Sequence, residues 1–181
     1  MLYTLIGMPA SGKSCMGRAL ASKLKMKLID TDKLIEKHCG EKLQSIIDRL
    51  GIEEFRRIEE EVLTSIEDTD GIVSTGGSAV YSKKAMEFFR ARGKVFYLRC
   101  SYKTIEQRIG DFSKRGVVLK PGQDLMGLYK ERCPLYERYA HHTVLCDGTA
   151  YPRQQAFAIK LIERYRKEEA EQQAKNSSLS K

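Results

Sequence analysis

Gly7-Met8-Pro9-Ala10-Ser11-Gly12-Lys13-Ser14 sits between a short apolar stretch, Leu2 to Ile6, and a run with Met16, Leu20 and Leu24 at helical spacing. The eight residues fit G-x-x-x-x-G-K-[ST], a phosphate-binding loop. Its glycines let the backbone curl so that successive N–H groups point inward at phosphate oxygens. The helix that follows turns its positive N-terminus on the same anion. Lys13 reaches the β- and γ-phosphates as a point charge, and the Ser14 hydroxyl suits Mg2+. Strand before and helix after are the context such a loop needs. The first functional conclusion is therefore binding of a purine nucleoside triphosphate.

Outward from the loop, strands and helices alternate. Lys27–Asp30, Gly71–Ser74, Lys94–Leu98 and Thr143–Cys146 read as strands. Helical patterns run through Leu34 to Leu50 with a break at Gly40, from Phe55 to about Ile66, from a Ser82 cap to about Arg90, from a Ser101 cap to about Ile109, and from Asp124 to Arg138. Pro152 opens a last helix, near the first helical position. Residues 111–122 show no period and read as a loop. This alternation predicts βαβ units and a parallel sheet in a three-layer α/β domain.

The chain has 181 residues, enough for one domain and a tail. With 41% hydrophobic and 31% charged residues, wholesale disorder and a disulfide-dense miniprotein are excluded. No apolar run has the length of a membrane span, and the N-terminus lacks the pattern of a signal peptide. The expectation is a soluble cytoplasmic protein with no membrane partner. Lys and Arg number 32 against 24 acids, a net charge of +8. The basic residues are spread along the chain and there is no Trp, so an anionic small molecule is expected rather than nucleic acid. Cys15, Cys39, Cys100, Cys133 and Cys146 are widely spaced without a CxxC and read as reduced thiols, not metal ligands.

The acceptor is read from weaker signals. An Asn-Lys-x-Asp guanine motif is absent, which argues against a GTPase. Asp30-Thr31-Asp32 ends the second strand, where open α/β sheets bind ligands. Carboxylates there serve a Mg2+ water shell or take a hydroxyl proton, and an Asp is equally at home as a helix cap. Arg56 and Glu59 are i,i+3 neighbours on a helix, so Glu59 is placed to hold a guanidinium for a carboxylate, or the two form a solvated surface pair. Gly76-Gly77-Ser78 after the third strand lets a ligand reach backbone N–H groups.

Taken in order, the loop at the first strand, Asp30-Thr31-Asp32, Phe55-Arg56-Arg57-Ile58-Glu59, Gly76-Gly77, Gln107-Arg108, Arg115, Arg132-Cys133-Pro134-Leu135-Tyr136 and Pro152 resemble the shikimate kinases over about residues 1–165. The resemblance implies a P-loop kinase fold: a five-stranded parallel sheet of order 2-3-1-4-5, helices on both faces and a mobile lid at about 110–122. Residues 166–181 are left as a helix extension and a frayed tail. It implies transfer of the γ-phosphoryl of ATP, with Mg2+, to the 3-hydroxyl of shikimate, in the pathway to aromatic amino acids, by a monomer. Gly7, Ala10, Ser11, Gly12, Lys13, Ser14 and Cys15 would hold the nucleotide phosphates, with Arg108 and Pro152 flanking adenine. Ser14, and Asp30 through water, would hold the metal. Asp32 would be the base, Arg56 and Arg132 the carboxylate clamp, and Gly76, Gly77 and Ser78 further acceptor contacts. Lys13 and Arg115 would neutralise charge on the transferred group.

Two residues depart from the family pattern. Ser78 stands for a third glycine, either bonding an acceptor hydroxyl or narrowing the pocket. Gly116 replaces a lid proline. A kinase for another carboxylated polyol such as gluconate, and a non-catalytic nucleotide-binding relative, are the other readings. Cys15 is expected to face the core, and His38, His141 and His142 to be surface or structural residues.

Overall fold

The first strand, β1 (Leu2–Ile6), is buried at every position, as a strand covered on both faces must be. The structure, a computed structural model, describes residues 1–110, 122–148 and 150–179. After β1 come α1 (Lys13–Leu24), β2 (Leu28–Asp30), α2 (Thr31–Cys39), α3 (Leu43–Thr64), β3 (Gly71–Ser74), a 3-10 turn at Ala79–Tyr81, and α4 (Lys83–Arg92). The remainder is β4 (Gly93–Arg99), α5 (Tyr102–Ile109), α6 (Leu125–Tyr139), β5 (His142–Leu145) and α7 (Tyr151–Leu179).

The sheet order is β2-β3-β1-β4-β5, and each neighbouring pair is parallel. This is the expected 2-3-1-4-5 order. The chain moves outward from β1 to β2, returns to β3, then crosses to β4 on the other side of β1. That reversal opens a crevice beyond the carboxyl end of β1, where ligands of such sheets bind. The loop of residues 7–14 emerges at that point. α1 packs on β1, β2 and β3 and against α7, which covers β5, while α3, α4 and α6 gather around the 3-10 turn.

Ser82 and Ser101 cap α4 and α5 as expected, each accepting from the third residue on. Asp124 does the same for α6. The helices expected on either side of residue 51 form one element kinked at Gly51, whose φ of 78° and ψ of 172° are non-helical. α7 runs to Leu179.

Two hydrophobic clusters result. The larger fills both sides of the sheet and includes Leu5, Met16, Phe89, Phe96 and Tyr136. The smaller joins Ile35 of α2 to Ile46, Phe55 and Val62 of α3. No helix among the described residues is long and apolar enough to cross a membrane. All five cysteines are free thiols.

Candidate active site

The donor side is mostly backbone. Gly12 stands at φ 98° and caps α1, and Ala10 takes a positive φ of 63°, rare for a residue with a Cβ. Lys13 is buried and its Nζ donates to the carbonyls of Gly7 (2.8 Å) and Met8 (2.9 Å). Burial brings its pKa down to about 8, with the charge of Asp32 acting against that. Ser14 is exposed on the first turn of α1, and the Ser11 hydroxyl is buried without a hydrogen-bond partner.

Beside the loop lies a cavity of about 280 Å3 lined by Ala10, Ser11, Gly12, Cys15, Leu98, Arg108, Tyr151 and Gln154. A second space, bounded by Lys13, Ser14 and again Cys15 and Arg108, adjoins it. Arg108 lines both spaces. Cys15 does not face the core: it is exposed, and its thiol lies 3.6 Å from the Tyr151 hydroxyl. Pro152 is exposed on the first turn of α7, and its neighbours Tyr151 and Gln154 line the cavity instead. Helix starts are read from their prolines and caps, while facing side chains follow only from packing, so these two were missed.

The acceptor side is built from side chains. Asp30 caps α2 through Lys33 N at 3.4 Å, the cap role weighed from the sequence. Asp32, two residues on in the first turn of α2, is partly buried. Burial pushes its carboxyl up to about 6 against the pull of the Lys13 charge. Glu59 of α3 is 2% exposed. It does not pair with Arg56 as the i,i+3 spacing suggested: the Ser78 hydroxyl donates to its Oε1 at 2.9 Å, and Arg56 pairs with Glu53 at 3.4 Å. Burial pushes Glu59 up to about 7, with the Ser78 hydrogen bond working the other way and the Asp32 charge adding to the rise. Ser78 thus turns its hydroxyl to Glu59, which neither sequence alternative foresaw.

The glycine pair is required by space. A Cβ on Gly76 would stand 2.8 Å from Asp32 Oδ1 and 3.0 Å from Glu59 Oε1. One on Gly77 would stand 3.0 Å from an Arg132 guanidinium nitrogen and 3.0 Å from Pro9. The backbone after β3 is thereby threaded between two carboxylates and an arginine. Arg132 is 1% exposed and its Nε donates to the Tyr81 hydroxyl at 3.2 Å. One helical turn on, the Tyr136 hydroxyl donates to the Gly77 carbonyl at 2.7 Å. Pro134 stands between them inside α6. His141 and His142 are structural: His141 Nδ1 accepts from Val95 N, and His142 pairs with the Tyr165 hydroxyl.

The structure thus brings Lys13, Asp32, Glu59, Gly76, Gly77, Ser78 and Arg132 together at one end of the sheet, with Cys15 and Arg108 at the adjoining cavity. Arg115, Gly116 and nearly all of the expected lid lie outside the described residues.

The comparisons with known proteins point one way. The family model described as shikimate kinase matches residues 9–171. The shikimate kinase of Haemophilus influenzae is 40% identical over 147 residues, covering 79% of this chain and 82% of that protein. That of Corynebacterium jeikeium is 34% identical over 166 residues, covering 91% and 89%. Among solved structures, shikimate kinase from Acinetobacter baumannii in complex with shikimate superposes with a TM-score of 0.75 at 31% identity, covering 92% of this chain and 93% of that one.

Proposed function

The chain belongs to the shikimate kinase family, and from that premise we propose that it moves the γ-phosphoryl group of ATP to the 3-hydroxyl of shikimate. The observation that carries the reading is the Gly76–Gly77 turn, which has Asp32 and Arg132 against it and Pro9 of the phosphate loop, with its buried Lys13, on the other side. A phosphate cradle and a basic carboxylate then face one reaction space.

In the proposed step, the acceptor oxygen forms a bond to the γ-phosphorus. The bond from that phosphorus to the bridging oxygen breaks, and ADP leaves. Asp32 takes the hydroxyl proton. With its carboxyl near 6 it is ionised at neutral pH and a better proton acceptor than an ordinary aspartate. Lys13, released from its two carbonyls, follows the charge that grows on the transferred group. Arg56 and Arg132 take the acceptor carboxylate, and Gly76 and Gly77 offer their backbones to it. Arg108, Cys15 and Tyr151 line the nucleotide base cavity. Arg115 is proposed, from the sequence alone, to act on the phosphates.

Mg2+ belongs to this reading. Hard oxygen donors fit it, and the exposed Ser14 hydroxyl with the Asp30 carboxylate through water offers them beside the loop. Bound there, the ion would offset charge on the β- and γ-phosphate oxygens. The reading includes a monomer in a reducing cytoplasm, which five free thiols fit.

The test is ADP release by the purified protein with Mg-ATP, alone and with shikimate, gluconate or quinate. Stimulation by shikimate alone is the expected result. Stimulation by gluconate or quinate instead reassigns the acceptor, and no stimulation by any of them removes the catalytic reading.

A further inference from the structure

One aromatic ring serves both arginines of the acceptor side. The Arg56 guanidinium carbon lies 4.2 Å from the centroid of the Tyr81 ring, and that of Arg132 lies 5.1 Å from it. The two arginines come from different helices, α3 and α6, and the tyrosine from the 3-10 turn between β3 and α4. Two guanidiniums brought to one place repel each other, and a low-dielectric setting strengthens the repulsion. The negative face of an aromatic ring offsets it. The tyrosine also bonds Arg132 Nε through its hydroxyl, so ring and hydroxyl both act on that residue.

Arg56 is otherwise loosely held. Its ion pair is with Glu53, an exposed residue of its own helix, at 3.4 Å. Its Nε is buried with no hydrogen-bond partner. A buried donor left unpaired is costly and calls for an acceptor, and a carboxylate oxygen is a suitable one.

We propose that Tyr81 is the positioning residue for both arginines of the acceptor clamp, and through them sets the preference for a carboxylated acceptor over a neutral one. The inference rests on reading Arg56 and Arg132 as that clamp. Tyr81 acts through the guanidiniums and takes no part in the chemistry. Ser78 fixes Glu59 from the same short turn, so residues 78–81 form the wall that orders the acceptor side.

The test compares wild type with Tyr81→Leu and Tyr81→Phe on shikimate and on its methyl ester, which lacks the negative charge. The readout is the ratio of kcat/KM for the acid to that for the ester. Loss of the ring should lower this ratio about tenfold in Tyr81→Leu, the scale of a desolvated cation–π contact. Tyr81→Phe keeps the ring and should retain most of the ratio, losing about threefold with the hydroxyl. The KM for ATP should stay within about twofold in both. An unchanged ratio in Tyr81→Leu overturns the proposal. Equal losses in both variants overturn the role of the ring, and a parallel rise in the KM for ATP makes Tyr81 merely structural. A wild-type enzyme indifferent to shikimate would instead sink the acceptor reading on which the proposal stands.

Discussion

The two halves of the site are made in different ways. The phosphate cradle is a curl of backbone, three positive φ angles at Gly7, Ala10 and Gly12, and one buried lysine, all within eight consecutive residues. The proposed acceptor half draws Asp32 from α2, Glu59 from α3, two glycines and Ser78 from the turn after β3, and Arg132 from α6. A phosphate chain is the same in every nucleoside triphosphate, so a local loop recognises it. A small acid with several hydroxyls must be told from its relatives, and that takes side chains converging from several elements, each held by a partner.

The sharpest way to break this contrast is Lys13→Met. It should lower kcat by about a thousandfold, since one preorganised charge facing the transferred group is removed. A steady-state assay giving near wild-type turnover would mean that the loop is not the donor site. Asp32→Asn comes next, with a loss of about a hundredfold or more. In wild type, kcat should rise with pH through about 6 as this carboxyl ionises. The variant should lose that limb while its KM for ATP holds, and a limb that survives assigns the proton elsewhere.

Smaller effects sharpen the comparison. Gly77→Ala presses a methyl against Arg132 and Pro9. It should raise the KM for the acceptor about tenfold, the scale of a one-ångström displacement or less, with little change for ATP. Equal change in both would mean that the halves are not separable. Glu59→Gln addresses stability. Glu59 titrates near 7 in the fold and near its ordinary value unfolded, so the folded state holds its proton more tightly. The stability this confers is complete at low pH and is lost as pH rises through about 7. Wild-type Tm should therefore fall between pH 5 and pH 8, with Asp32 contributing in the same direction. In Glu59→Gln the fall should be shallower by a few degrees. Parallel Tm profiles would show that Glu59 is not titrating in this range.

How much of this could be read from the chain differs between the halves for the same reason. The loop with its flanking strand and helix is local, the parallel sheet follows from alternation, and the strand order came with the family resemblance; all three stand as read. Asp32 and Arg132 were named through the family resemblance, and the structure places both against the glycine pair after β3. The partner of Glu59 was not: helical spacing put Arg56 within reach, but a hydroxyl from another element had the better geometry. Tyr81 left no signal because its value lies in two guanidiniums distant in sequence. Cys15 was misread because helix phase near a cap is poorly defined, and the residue turned outward to the cavity.

The separation of the hydrophobic interior into two clusters has a consequence for local unfolding. Phe55, next to Arg56 and one turn before Glu59, belongs to the small cluster shared by α2 and α3, not to the one that covers the sheet. A small cluster offers less buried area to resist opening, so amide protons of α2 and α3 should exchange with solvent sooner than those of β1, β3 and β4. At mild denaturant the protein would then pass through a state in which the phosphate loop still stands on an intact sheet while the acceptor helix is already released. Such a state would keep its nucleotide and forget its second substrate.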